Sequence, residues 1–410
     1  MMDVSGISRR ALLRIAAAGA VSGLARPRRA AGQERKPALS LLTWPDYAPP
    51  ALVAQFEKDT GIKVTVAHYA SNAELAKKLA SVGSVPYDLV QPTLSTIPAG
   101  VDQGWYRPLE MDRLRHVSRV VPSLLRAGDD VGGVAGGTRY GLPFTWSAEG
   151  LAYHTGRLRP PPDSWGVLHD SAHQGRISYR ATFHVCVSTG LWLGLGDRMR
   201  GLYASPERAT AILDEVVDRL VAERRWVRAY WRTAAELETL MADGEVSVAQ
   251  AWDGTAWRLE RQGKPVRFVA PREGALAWMD GFAIPLGAHN VDEAYAWIDF
   301  MYEPRNAAAI ANDLRFGPVI TGAVELLDAA LRRQREEAFS ADVVANLWWY
   351  PAEPAWWPKL FRRYAARLTG KPEPAEKDGE KGAARPAGGQ AGGDRSSSPA
   401  PGAPPASGDR

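Results

Sequence analysis

Leu39-Ser-Leu-Leu-Thr-Trp-Pro-Asp-Tyr-Ala-Pro-Pro50 is the stretch whose reading decides the fold. Its apolar run to Leu42 has the length and bounded character of a buried strand. Pro49 and Pro50 suit the first turn of a following helix, where the missing amide hydrogen is not needed. Trp44, Asp46 and Tyr47 then occupy the turn beyond a strand's carboxyl end, which in open α/β sheets is where ligands bind. An aromatic face, a carboxylate and a second ring so close together suit an organic cation.

Outward from that stretch, Leu52, Val53 and Phe56 recur at helical spacing, and Gly61 is placed to close the helix in a left-handed cap. Ile62-Lys-Val-Thr-Val-Ala-His-Tyr69 reads as a strand. Ser71-Asn-Ala-Glu74 reads as a capping box opening a helix that buries Leu75 and Leu79, and Tyr87-Asp-Leu-Val90 as a third strand. Strands alternating with helices predict a right-handed parallel sheet. Val131-Gly-Gly-Val-Ala-Gly-Gly137 is expected to be a flexible loop; without a phosphate-loop lysine it is no nucleotide cradle. Beyond it a second α/β unit is expected. Ser205 and Pro206 open a helix with Ile212, Leu213, Val216, Val217, Leu220 and Val221 on one face. Strands follow at Val246-Ser-Val-Ala-Gln-Ala-Trp252 and Val266-Arg-Phe-Val-Ala270, the latter ahead of Ala277-Trp-Met-Asp-Gly-Phe-Ala-Ile-Pro285, and Asn290-Val-Asp-Glu293 is expected to start a helix.

At 410 residues, 45% hydrophobic and 23% charged, the chain has enough apolar content for about two globular domains. Residues 1–32 read as an export leader: Ser8-Arg-Arg-Ala-Leu-Leu-Arg14, an apolar run too short to span a bilayer, then small residues at Ala30 and Ala31. The leader resembles the twin-arginine type. Its six arginines against Asp3 carry +5 of the formal +4, leaving −1 for the rest, so basicity is no argument for nucleic-acid binding. Cys186 is the sole cysteine, which excludes an intrachain disulfide. Residues 371–410 lack aromatic residues and are expected to be disordered. His169 and His173 have the spacing of a metal pair but no third ligand nearby, and no nucleophile-and-base motif occurs, so neither a metal, a cofactor nor catalysis is expected.

Five separated blocks line up in order with one family: Trp44-Pro-Asp-Tyr47, Tyr87-Asp-Leu-Val-Gln-Pro92, Gly141-Leu-Pro-Phe-Thr-Trp146, Ala251-Trp-Asp-Gly-Thr255, and Pro271-Arg-Glu-Gly-Ala-Leu-Ala-Trp-Met-Asp280. The chain resembles the periplasmic spermidine/putrescine-binding proteins of ABC importers over roughly residues 39–368. The resemblance implies a two-domain α/β periplasmic-binding-protein fold of type II, with the ligand cleft between domains joined by two crossover strands. It places the first domain at residues 36–142 plus 280–313 and the second at 143–279 plus 314–368. It implies a monomer in the periplasm that binds a small organic amine, hands it to an inner-membrane permease, and needs no cofactor.

By the same resemblance Trp44, Asp46, Tyr47, Trp252, Trp278 and Asp280 match ligand contacts, with Thr93 and Ser95 in a contributing loop. The chain departs from the family pattern elsewhere. Where the family places acids for a second ammonium, this chain has Arg180 and Phe183, with His184 adjacent; Thr255 stands at a position acidic in some putrescine binders, and Phe316 replaces a late tyrosine. These departures keep open a zwitterionic ligand, an amino-acid derivative or betaine, with Arg180 and His184 as selectivity residues. An enzyme on the same bilobal scaffold is the rival from another class.

Overall fold

The computed structural model describes residues 37–81 and 87–370; the leader at 1–32 and the segment 371–410 lie outside them. Strand β1 (Ala38–Thr43) lies between two parallel partners, β2 (Lys63–His68) and β3 (Leu89–Val90). The intervening helix Pro50–Thr60 begins on its proline and ends where Gly61, at φ 72°, returns its amide to the Glu57 carbonyl at 2.9 Å. Its buried Phe56 meets Trp297 edge-on at 4.9 Å. Helix Asn72–Ala80 starts as read: Ser71 Oγ accepts from the Glu74 amide at 3.2 Å. The Glu74 carboxylate reaches one residue further back than a closed capping box requires, to the Ala70 amide at 2.8 Å.

Two local expectations are corrected. Residues 131–137 are not a plain flexible loop. They end in a two-residue hairpin between β4 (Val134–Ala135) and β5 (Thr138–Arg139), because Gly136 and Gly137 adopt φ 56° and 76°, the pair of positive angles such a turn demands. Asn290 does not cap helix Val291–Met301 with its side chain. Its Nδ2 instead donates to the buried Asp88 carboxylate at 2.9 Å, which also accepts from the Ser40, His289 and Asn290 amides. Asp88 thereby ties β1 and β3 to the start of that helix.

The second sheet is built on β6 (Leu142–His154), a 13-residue strand buried from Leu142 to Tyr153. The remaining strands are β7 (Ile177–Arg180), β8 (Val227–Trp231), β9 (Val248–Trp252), β10 (Val266–Val269), β11 (Leu276–Phe282), β12 (Gly317–Pro318) and β13 (Trp348–Trp349). The main path runs β13-β11-β6-β9-β7-β8, and β9, β10, β11 and β12 all pair antiparallel with β6. Helix Pro206–Glu223, capped by Ser205 as expected, buries Leu213, Val216, Val217 and Leu220 in one apolar cluster with Ile177, Val248 and Trp357. A smaller cluster joins β9 to helices Ala234–Ala242 and Asp253–Arg261 through Ala249, Met241 and Leu259.

β11 runs on into the first sheet. Val90 and Ala283 exchange backbone hydrogen bonds at 2.9 Å, and Thr93 pairs with Asp280. β6 enters beside it, Leu142 opposite Phe282, so β6 and β11 are the two strands that carry the chain between the sheets. At this crossing the register shifts by a bulge after Asp280, and a Cβ on Gly281 would lie 2.5 Å from the Leu142 carbonyl oxygen and would also strike Leu94. Backbone there cannot yield as a side-chain tip can. Gly281→Ala is therefore expected to cost about 1–3 kcal/mol in denaturant unfolding. Gly287→Ala, where a Cβ meets nothing within 4 Å, should be near neutral; equal effects at both positions would contradict a sterically closed crossing.

Candidate ligand-binding site

Strand periodicity assembles the site. On β6, Thr145, Ser147 and Glu149 share one face, because alternate residues point to the same side. Across the antiparallel pairing with β11, Asp280 stands opposite Thr145 and Trp278 opposite Ser147; across β9, Trp252 stands opposite Glu149. Trp252, Trp278 and Asp280 are thus brought to one face by register alone. The turns after β1 and β3 supply Trp44 and Tyr47, and Thr93 and Ser95.

Asp280 is the centre of this arrangement. Only 4% exposed, it accepts hydrogen bonds from Tyr47 Oη at 2.6 Å and Thr93 Oγ1 at 2.7 Å. Thr93 Oγ1 in turn accepts from Asn72 Nδ2 at 3.0 Å. Burial pushes the Asp280 carboxyl up to about 6, against the opposing pull of the two hydroxyls. Other buried carboxylates are compensated. Glu149 pairs with Arg180, Glu223 with Arg219 and His169, and Asp299 with Arg115, while Asp88 collects four N–H donors. Asp253, also pushed up to about 6 by burial, accepts from Ser147 and the Gly254 amide and is countered by the charge of Arg335. Among the described residues Asp280 has two hydroxyl donors and no ion pair with a cation.

Rings surround it. Trp278 meets Phe316 edge-on at 4.9 Å, Phe316 lies 6.5 Å from Tyr47, and Trp44 packs on Tyr69 at 4.6 Å. The buried Trp44 Nε1 has no hydrogen-bond partner among the described residues. Asp46 is exposed. It holds φ 69° at the third position of a turn, after Pro45, closed by the Tyr47 amide on the Trp44 carbonyl at 3.4 Å. Thr255 is buried in helix Asp253–Arg261, where it accepts from Arg258 at 3.2 Å.

The departures from the family pattern form a second group. The Arg180 guanidinium lies 4.6 Å over Trp252, pairs with the fully buried Glu149 carboxylate, and contacts His184 Nδ1 at 2.9 Å. Burial and Arg180 hold the His184 imidazole well below its usual range, so it is neutral. Its ring stacks on Tyr350 at 4.3 Å. Phe183 packs against Trp357 at 5.4 Å and Phe361 at 5.8 Å. A recess bordered by Thr93, Ser95, Val131, Trp278, Trp349 and Tyr350 adjoins both groups. Val131, Trp349 and Tyr350 escape a reading of the sequence. Trp349 reaches the recess because it pairs with Ala277 across β13 and β11, and Tyr350 because its amide bonds the Ala277 carbonyl at 2.9 Å.

Elsewhere, His169 is consumed by Glu223 at 2.6 Å and by a stack on Trp192 at 4.1 Å. Burial pushes the Cys186 thiol far up. Among the described residues no group of His, Cys, Asp and Glu could hold a metal, and no helix is long and apolar enough to cross a membrane.

Two α/β sheets joined by a strand pair, with an uncompensated carboxylate and rings at the join, define a solute-binding protein. Residues 51–339 match the family model for bacterial extracellular solute-binding proteins, and the chain belongs to that family; it is a binding protein and not an enzyme. It is 27% identical over 321 residues to a putrescine-binding periplasmic protein of Escherichia coli, covering 75% of this chain and 85% of that one. It is 26% identical to a spermidine/putrescine-binding periplasmic protein of the same species, covering 76% and 86%. The crystal structure of a spermidine/putrescine ABC transporter substrate-binding protein from Streptococcus pneumoniae superposes with a TM-score of 0.68 at 25% identity, covering 81% of this chain and 99% of that one. The fold is that of the two-domain type II binding proteins.

Burial of Asp280 has a pH consequence of definite sign. Its folded-state pKa, about 6, lies above the ordinary 3.8, so the native state holds the proton more tightly and Asp280 costs stability as pH rises through that window. Asp280→Asn should stabilise the ligand-free protein at pH 7 by about 1–3 kcal/mol and give no gain near pH 3.5. Thermal unfolding at the two pH values checks this; a loss of stability at pH 7 would show that the carboxylate is compensated after all.

Proposed function

We propose that this protein is the periplasmic substrate-binding component of an ABC importer for a small organic amine, exported by a twin-arginine-type leader at residues 1–32 and working as a monomer. The observation that carries the reading is Asp280: a buried carboxylate with two hydroxyl donors and, among the described residues, no cation. An ammonium group on a ligand supplies the missing charge, and its charge-assisted bond to the carboxylate is strong in a poorly solvated site. Trp278, Phe316, Tyr47 and Trp44 offer π faces and apolar surface to the methylene stem. The relatives' names, putrescine and spermidine binding, agree with the amine class.

On this reading residues 36–142 plus 280–313 make up the first domain and 143–279 plus 314–368 the second, with the ligand between them. Tyr47 and Thr93 come from the first and Trp252 from the second, while Asp280 lies on the crossing strand. Contacts to both sides favour the closed form over the open one by differential affinity, and no bond is made or broken.

Calorimetry with short aliphatic amines should show binding by the parent and a loss of at least about 100-fold in Asp280→Asn, the few kcal/mol of a charge-assisted bond. Equal affinity for parent and variant would remove Asp280 as the ammonium receptor. Amine affinity should also fall about tenfold for each pH unit below about 6, as Asp280 takes up its proton; an affinity flat from pH 7.5 to 4.5 would contradict the assignment.

A further inference from the structure

The site reading above leaves the chemistry of the ligand's other end open, and the Glu149–Arg180 pair addresses it. Glu149 is fully buried in β6, with one carboxylate oxygen on Arg180 and the other on Gln250 Nε2 at 2.9 Å. Its charge is spent inside the protein. Arg180 is likewise not a free cation, and His184 beside it is neutral. Among the described residues Arg180 Nε, a donor, is buried without a partner, and so is Gln250 Oε1, an acceptor, on the residue that bonds Glu149. Burial first, then the charge of Glu149 and the interaction of the Tyr350 hydroxyl with it, push the Tyr350 phenol well above its usual range. Tyr350 also borders the recess shared with Thr93 and Trp278, and through its stack on His184 it connects that recess to Arg180.

Resting on the amine reading, we infer that the Glu149–Arg180 pair makes the end of the cleft remote from Asp280 electrically neutral, and selects an amine with one ammonium at Asp280 and an uncharged hydrogen-bond acceptor, an amide carbonyl or its equivalent, at the other end. Charge balance gives the reason. Asp280 contributes −1 and the pair contributes nothing, so one ammonium neutralises the site. A second ammonium would be desolvated beside a guanidinium with no free carboxylate to receive it, and a ligand carboxylate would be desolvated beside Glu149. A carbonyl accepts from Arg180 Nε at no charge cost.

The test is a matched ligand series measured by calorimetry on the exported chain at pH 7.5: α,ω-diaminoalkanes of three to five carbons, their mono-N-acetyl derivatives, and the amino acids with a carboxylate in place of the acetamide. The acetamides should bind at least tenfold tighter than either counterpart of equal length. Equal or tighter binding of the diamines or of the amino acids overturns the inference, as does binding of none of the series. Two variants then reverse the preference. Arg180→Met releases Glu149 and should move the diamine-to-acetamide affinity ratio at least tenfold toward the diamine, whereas Glu149→Gln releases Arg180 and should move the amino acids up by as much. Unmoved ratios in folded variants overturn the inference. Asp280→Asn separates the two claims: if it weakens the whole series while the order among far ends is not as stated, the amine reading stands and this inference falls, and if it leaves the series unaffected the amine reading itself falls.

Discussion

A carboxylate held in the protein interior without a cation is costly, and the structure around Asp280 is organised by that cost. The group sits on β11 where the strand leaves one sheet for the other, so it belongs to the connection and not to either side. Tyr47, from the turn after β1, and Thr93, from the turn after β3, give it one hydroxyl each. Asn72, at the start of the helix between β2 and β3, holds Thr93 in place. Three loops of one sheet are thus aimed at a single residue of the crossing strand, and a ligand cation completes the set.

The same logic governs β6. A strand buried along nearly its whole length would ordinarily be apolar on both faces, yet it places Thr145, Ser147 and Glu149 on one of them. Each has its partner: the Gly317 carbonyl at 3.0 Å, the Asp253 carboxylate, and the Arg180 and Gln250 side chains. Buried polar groups that are satisfied hold rigid positions, so Trp252 and Trp278, which flank β6 on this face, are supported by a fixed polar layer. Phe144, Trp146 and Ala148 on the alternate positions join the main apolar cluster instead.

Much of the frame was legible because local chemistry dictates it. Pro50 and Gly61 bound the first helix, Ser71 and Ser205 cap theirs, and bounded apolar runs marked β1, β2, β9 and β10, whereas β6 and β11, the two strands on which the site is built, were not read as strands. Asp280, Trp278 and Trp252 came from the family resemblance, and register then explained why they share a face. What escaped reading depends on distant partners. Glu149 and Arg180 lie 31 residues apart, and nothing near either shows that they neutralise one another; from the sequence Arg180 looked like a free cation. Trp349 and Tyr350 join the recess only through the pairing of β13 with β11. Asn290 carried a capping signature, but a buried carboxylate 202 residues away outcompeted its own backbone for the side chain. The glycine-rich segment failed for a different reason, since its composition suits both a flexible loop and the tight hairpin that forms.

Proton release on binding tests the central claim most directly. At pH 6 a carboxyl with a pKa of about 6 is half protonated, and an ammonium seated on it must drive that proton off. Calorimetry of amine binding in buffers of different ionisation enthalpy should therefore show release of about half a proton per ligand at pH 6, little at pH 8, and none from Asp280→Asn. Binding at pH 6 with no proton release in the parent protein would mean that the ammonium does not sit on Asp280, and the account of this site would be wrong.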